Sequence, residues 1–311
     1  MNIMKVGLSF YYLHFYRKSD KSPYARRNLY QIGKIVKEAG FECVESTITD
    51  IILTQLGGNK SNDPITEAYN VREYFDKLGL EFEKTHSRFR TSFDPAFDWK
   101  SMREENLCQL DYAKALGAKY FVVHADTYAP QWGTFNPDDA LDAAYEYIAP
   151  LVDKAKKLGV GIAVETLFEE GQVPDGRLRY TSTSDEVIAV IDKFNDPAVT
   201  CCLDIGHAAM AYGTNLLDEI KKIGSRISCL HVQDNNSTQP VTVIPQNFIK
   251  DMHLPLFEGS LDWEGIIGTL KEIGYKGDFT LEACHLLYPE ALVVDNLNMI
   301  YRNAKYAVDN F

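Results

Sequence analysis

Residues 155–165 read AKKLGVGIAVE, and this stretch decides the fold. A lysine-bearing helical segment stops at Gly159, turns tightly, and enters an apolar run that ends on a carboxylate, Glu165. The same grammar recurs at 36–45 (VKEAGFECVE), 113–123 (AKALGAKYFVV) and 270–281 (LKEIGYKGDFTL). His86, His124, Glu165 and Asp204 follow one another at intervals of 38, 41 and 39 residues, about one strand–helix unit each time. Continuous apolar runs without alternation are what parallel strands buried on both faces require. Eight such units predict an α/β fold, the (β/α)8 barrel, whose active site lies at the C-terminal ends of its strands.

Working outward, strands are predicted at 4–10, 41–46, 81–86, 119–124, 160–165, 199–204, 227–232 and 278–283. Helices are predicted at 25–39, 65–78, 137–157, 184–194, 215–223, 262–273 and about 289–308. Asn136-Pro137 marks a cap and a first-turn proline, and Thr183 with Glu186 reads as a capping box. No composition break divides residues 1–311, so a single barrel domain is expected. The long irregular stretches, 87–98, 125–135, 166–182 and 235–261, all follow a strand, where they suit a substrate-enclosing face.

Composition narrows the function. With 45% apolar and 24% charged residues the chain is an ordinary folded protein. It shows neither a basic leader with a cleavage site nor an 18-residue apolar run, so no membrane partner and a cytoplasmic location are expected. A formal net charge of −12 without a dense basic run argues against a nucleic-acid partner. The cysteines, Cys43, Cys108, Cys201, Cys202, Cys229 and Cys284, form no CxxC pair and read as free thiols rather than bridges or a zinc knuckle. Neither a Walker loop nor a GxGxxG follows a strand, so no nucleotide cofactor is supported.

The chemistry sits at strand ends. Glu165, Asp204, His231 and Glu282 close the fifth to eighth predicted strands. Three carboxylates and one imidazole suit a divalent ion such as Mn²⁺, Mg²⁺, Co²⁺ or Zn²⁺, with positions left for substrate oxygens. His207 lies three residues after Asp204 in LDIGH, read as a turn that sets both on one rim, to bind a substrate oxygen or a second metal. His124 is either a site residue or the partner that orients a ligand. Asp251 and His253 form a D-x-H pair whose alternation lets both face one pocket. His86, Glu258 and Trp263 complete the expected substrate-binding set, while His14 and His285 are weaker candidates for the mouth. Arg88 and Arg90 are candidates for a phosphate, and Phe15, Trp132, Phe257 and Trp263 for an apolar wall against a sugar. Cys284 beside Glu282 reads as core rather than nucleophile.

The ordered set VET…LDIGH…HVQDN…DMHLP…EGSLDW…TLEA, from Val164 to Ala283, resembles the xylose isomerase-like TIM-barrel superfamily, the sugar phosphate isomerase/epimerase group. The resemblance implies one Mn²⁺-type ion on Glu165, Asp204, His231 and Glu282, with the two glutamates also serving as the acid–base pair. It implies a small carbohydrate substrate, deprotonated beside a carbonyl through a stabilised enediolate, with His207 on a substrate oxygen and Glu258 positioning its loop. Epimerase, isomerase and inosose dehydratase-like lyase all remain open, as does homo-oligomer formation. The class II AP endonucleases are relatives of this group. Their trinuclear zinc site would correspond to His86, His124, Glu165, Asp204, His207, His231, Asp251, His253 and Glu282. Acidic composition, VVHAD in place of a glycine beyond the histidine, and the aromatic FYYLHFY opening stand against that reading. A third alternative is a barrel that binds a sugar without turnover. The polar segment 235–250 is a departure that shapes either a specificity pocket or an oligomer contact.

Overall fold

A computed structural model describes residues 4–10, 13, 15, 16, 25–47, 60–88, 98–125, 136–168, 180–236, 251–283 and 288–311. Of the residues singled out above, His14, Arg90, Trp132, Cys284, His285 and residues 237–250 lie outside them, and of Phe15 only the backbone is described.

Eight strands build the sheet: β1 (Val6–Ser9), β2 (Cys43–Thr47), β3 (Glu81–His86), β4 (Tyr120–Val123), β5 (Gly161–Glu165), β6 (Val199–Asp204), β7 (Ile227–His231) and β8 (Phe279–Leu281). All neighbours are parallel, in the order β8-β1-β2-β3-β4-β5-β6-β7. The ring closes just beyond β7, where Val232 bridges Leu281. There Val232 N–H donates to Thr280 O and Glu282 N–H to Val232 O, both at 2.9 Å. The fold is a (β/α)8 barrel. A short antiparallel pair, Phe15–Tyr16 with Ala25–Arg26, stands apart from it.

The helices are α1 (Leu29–Ala39), α2 (Pro64–Leu78), α3 (Trp99–Leu116), α4 (Pro137–Leu158), α5 (Ser184–Phe194), α6 (Ile205–Tyr212), α7 (Leu216–Ile223), α8 (Trp263–Glu272) and α9 (Val293–Asn310). Residues 155–165 show why they stop where they do. Gly159 takes φ +68°, a left-handed conformation that costs a glycine little, and its N–H turns back to the last carbonyls of α4. Val160 then donates to Ala155 O at 3.0 Å and aims the chain into β5. Thr183 caps α5 by accepting from Glu186 N–H. One local expectation is corrected. LDIGH is not a free turn but the end of β6 running straight into α6, because Asp204 itself caps that helix, its Oδ1 accepting His207 N–H at 2.7 Å. No described helix is long and apolar enough to cross a membrane.

The main core lies between the strands and the helices. Phe121 and Val123 point into it, so the alternation along β4 turns Val122 to the barrel axis. Val122 packs there in a separate cluster with Ala163, Cys202 and Cys229 from β5, β6 and β7. The free thiols Cys43, Cys201, Cys202 and Cys229 are buried, and Cys108 is exposed on α3.

Candidate metal centre and active site

The C-terminal strand ends bring the acidic and imidazole groups together around Glu165. Its Oε2 accepts from Nε2 of His86 and of His124, each at 2.9 Å. Its Oε1 lies 3.3 Å from His231 Nδ1 and 3.4 Å from His207 Nδ1. Parallel pairing sets Asp204 beside His231 on β6 and β7. His231 Nδ1 is 4.0 Å from Asp204 Oδ2 and 3.5 Å from Glu282 Oε2. Glu282, just past β8, thus meets Glu165 across the Asp204–His231 pair.

Around this centre the loops are tied down by hydrogen bonds. Thr166 Oγ1 accepts from Asp204 N–H at 2.9 Å and donates to Asp204 O at 3.2 Å. Gln233 donates through Nε2 to both oxygens of Asp204, at 3.3 and 3.2 Å, while its Oε1 accepts His253 N–H at 3.0 Å. His253 is held at φ +48°, a conformation rare for a histidine, with Nδ1 donating to Glu282 O at 2.7 Å and Nε2 facing Asp251 Oδ2 at 2.8 Å. His207 donates from Nδ1 to Thr166 O at 2.9 Å and turns Nε2 toward Asp251 Oδ2 at 3.5 Å, with Phe168 packed on its ring. His86 likewise donates from Nδ1 to Ser87 O at 2.7 Å.

Burial opposes every charge here, and the partners decide the outcome. Burial pushes the Glu165 carboxyl up, but His124 and His231 outweigh it and hold it well below the usual carboxylate range. Burial pushes Glu282 up to about 7, because the pull of His231 and His253 is offset by Glu165 and Asp204. Burial also raises Asp204. His207 overcomes burial through Asp204 and Asp251 to reach about 10, and His253 through Asp251 and Glu282 to reach about 9. The imidazoles therefore neutralise the clustered carboxylates, the balance that a buried acidic site demands.

The donor set fits a divalent ion. One ligand atom from each of Glu165, Asp204, His231 and Glu282 lies within 4.8 Å of all the others. His231 Nδ1 is fully buried, faces these carboxylates and has no hydrogen-bond partner, a position costly for a ring nitrogen unless something else binds there. One imidazole with three carboxylates is the hard-to-borderline set that Mn²⁺, Mg²⁺, Co²⁺ or Zn²⁺ accepts. His86, His124 and Glu165 form a second group of the same kind.

The structure does not bring every expected residue to this centre. Trp263 is buried at the start of α8, its indole N–H donating to Asp234 Oδ2 at 2.9 Å and its ring packed edge-on to Phe279. The same carboxylate accepts Phe257 and Leu261 N–H, so Trp263 braces the 254–262 loop. Glu258 is exposed on that loop. Phe257 packs against Tyr306 and Phe311, and Arg88 pairs with Glu105 at 2.6 Å on the surface. Other residues went unnoticed in the sequence. Glu45 accepts from His231 Nε2 at 3.0 Å, with Lys84 beside it, and Gln233 bridges Asp204 and His253. Glu45 did carry a signal, since it ends FECVE as Glu165 ends GIAVE.

Comparison with known proteins agrees with the fold. The IOLI protein with a binding zinc atom superposes with a TM-score of 0.71 at 18% identity, covering 98% of this chain and 96% of that one. D-psicose 3-epimerase in the presence of D-fructose superposes with a TM-score of 0.65 at 14% identity, over 98% and 97%. The uncharacterized protein MJ1311 of Methanocaldococcus jannaschii is 24% identical over 174 residues, 56% of this chain. The chain spans about half the length of that curated relative, 53%. A family described as xylose isomerase-like TIM barrel matches residues 34–303. On that match the chain belongs to the xylose isomerase-like TIM-barrel family.

Proposed function

We propose that this protein is a divalent-metal-dependent isomerase or epimerase of a small sugar or sugar phosphate. The observation that carries the reading is the convergence of Glu165, Asp204, His231 and Glu282 around the unpartnered Nδ1 of His231. The solved structures of the same fold named as D-psicose 3-epimerase and L-ribulose 3-epimerase are in keeping with it. Glu165, Asp204, His231 and Glu282 would hold a divalent ion, Mn²⁺ for so carboxylate-rich a set, which would supply Lewis-acid stabilisation of negative charge on substrate oxygen. The chain's own residues do the rest. Glu165 and Glu282 flank the Asp204–His231 pair, so one carboxylate removes a carbon-bound proton and the other returns one. Return to the same carbon epimerises it, and delivery to the neighbouring carbon interconverts aldose and ketose. His86 and His124 fix the Glu165 carboxylate in place, and His207, whose Nε2 faces Asp251 Oδ2 at 3.5 Å, would turn that donor to a substrate oxygen when substrate enters.

A second reading, a zinc phosphodiesterase of the class II AP endonuclease kind, is favoured by one observation. The Nδ1 atoms of His86, His207 and His253 all face main-chain carbonyls, which turns each Nε2 toward a carboxylate as in ligands of further ions. Metal content of protein purified without added metal or chelator separates the two. About one equivalent of manganese, cobalt or a similar ion per chain fits the sugar site, and about three of zinc fit the phosphodiesterase. The first result leads to a screen of ketoses and aldoses by exchange of the carbon-bound proton with solvent. The second leads to cleavage of abasic DNA.

A further inference from the structure

The two nitrogens of His231 have different fates. Nδ1 faces the carboxylates of the candidate metal centre, while Nε2 reaches back into the barrel to Glu45 Oε1 at 3.0 Å. Both residues are buried. A carboxylate only accepts, so this bond keeps a proton on Nε2, and when the ring gives up its other proton the lone pair falls on Nδ1. Behind Glu45 the charges continue. Lys84, fully buried, lies 3.8 Å from Glu45 Oε2 and 3.4 Å from Glu83 Oε2. Glu83 accepts Asp278 N–H at 2.9 Å and the Thr280 hydroxyl at 3.0 Å. Pairing of β2 with β3 sets Glu45 directly beside Lys84.

A chain of this kind is costly. Barrel interiors are ordinarily filled with branched apolar residues, and apolar groups of similar volume would stabilise this one at least as well. The arrangement is explained if the charge serves the histidine. We infer that Glu45, with Lys84 as its counter-ion, is the positioning residue of the centre, setting the tautomer and orientation of His231 so that Nδ1 becomes a metal ligand. This rests on the metal-centre reading above, and it assigns Glu45 and Lys84 a role in metal affinity rather than in packing.

Two near-isosteric variants of the full chain test it, with Co²⁺ as the probe. Glu45→Gln keeps an acceptor oxygen but loses the charge, and its amide can turn over to offer Nε2 a donor, favouring the wrong tautomer. Glu45→Leu removes the acceptor altogether. Cobalt affinity is measured by calorimetry and by visible absorption on protein stripped of metal, and urea unfolding of the same metal-free samples reports on the fold. Affinity is expected to fall in the order wild type, Gln, Leu, by about 10–100-fold overall, with a changed cobalt spectrum. Unchanged affinity and spectrum in the folded Leu variant, with only its unfolding midpoint lowered, would overturn the inference while leaving the metal centre intact. Absence of cobalt binding by the wild type would overturn the metal reading and the inference with it. If the Leu variant loses its cooperative unfolding transition, the affinity and spectrum of the Gln variant decide by the same criterion.

Discussion

Gly206, the glycine of LDIGH, offers a test in which two effects of opposite sign compete. It sits in the first turn of α6, and by helix propensity Gly206→Ala should stabilise the chain by up to about 1 kcal/mol. The tertiary structure says otherwise. A Cβ at this position would lie 2.4 Å from both Cγ and Cδ of Gln233 and 2.8 Å from its Oε1. Gln233 is fully buried and cannot swing into solvent. It must leave its bonds to Asp204 and His253 or push α6 away from the segment that follows β7. Overpacking of this kind costs about 1–3 kcal/mol. Losing the 3.0 Å bond and the two longer ones adds about 1–3 kcal/mol. The clash therefore wins, with a net destabilisation of about 1–5 kcal/mol. Urea unfolding of wild type and variant without metal measures it, and calorimetric titration should show weakened metal binding as well, because Asp204 loses its tether. A variant as stable as wild type, or more so, would refute the reasoning and show that the Gln233 bonds are dispensable.

Further expectations concern the base, the loop and the opposite end of the barrel. Glu165→Gln should suppress exchange of the substrate's carbon-bound proton by about 10²-fold or more, and retained exchange in a metal-loaded variant would remove Glu165 as a base. Trp263→Phe should cost about 1–3 kcal/mol in unfolding free energy through the lost bond to Asp234, with kcat/KM little changed. Lost activity at unchanged stability would instead return Trp263 to the site. At the other end of the strands, burial and the neighbouring Glu83 push Asp278 up to about 6 from 3.8. A carboxyl raised on folding stabilises most below its unfolded value and loses that contribution as pH rises through the folded one. Relative to wild type, Asp278→Asn should therefore gain stability between pH 4 and pH 6, and parallel urea midpoints across that window would refute the assignment.

Much of the centre was legible because a parallel barrel aligns the ends of its strands. Once the helix–Gly–strand repeat is recognised, a carboxylate or imidazole closing an apolar run can only lie on one rim, and Glu165, Asp204, His231 and Glu282 follow from position alone. The repeat likewise determined the strand order and the helix stops, since a glycine after the last helical turn is a local requirement. Only the tertiary structure decided which side chains meet across the ring. The pairing of β2 with β3 shifts register between Val44 and Glu45, and Val44 packs in the outer core while Glu45 turns to the axis to find Lys84 and His231. Whether Trp263 faces substrate or Asp234, and whether Gly206 is required for its backbone or for the space over Gln233, turns on the same kind of fact. Local sequence determines an element and its ends, but the direction of each side chain depends on strand register and on neighbours brought from distant parts of the chain.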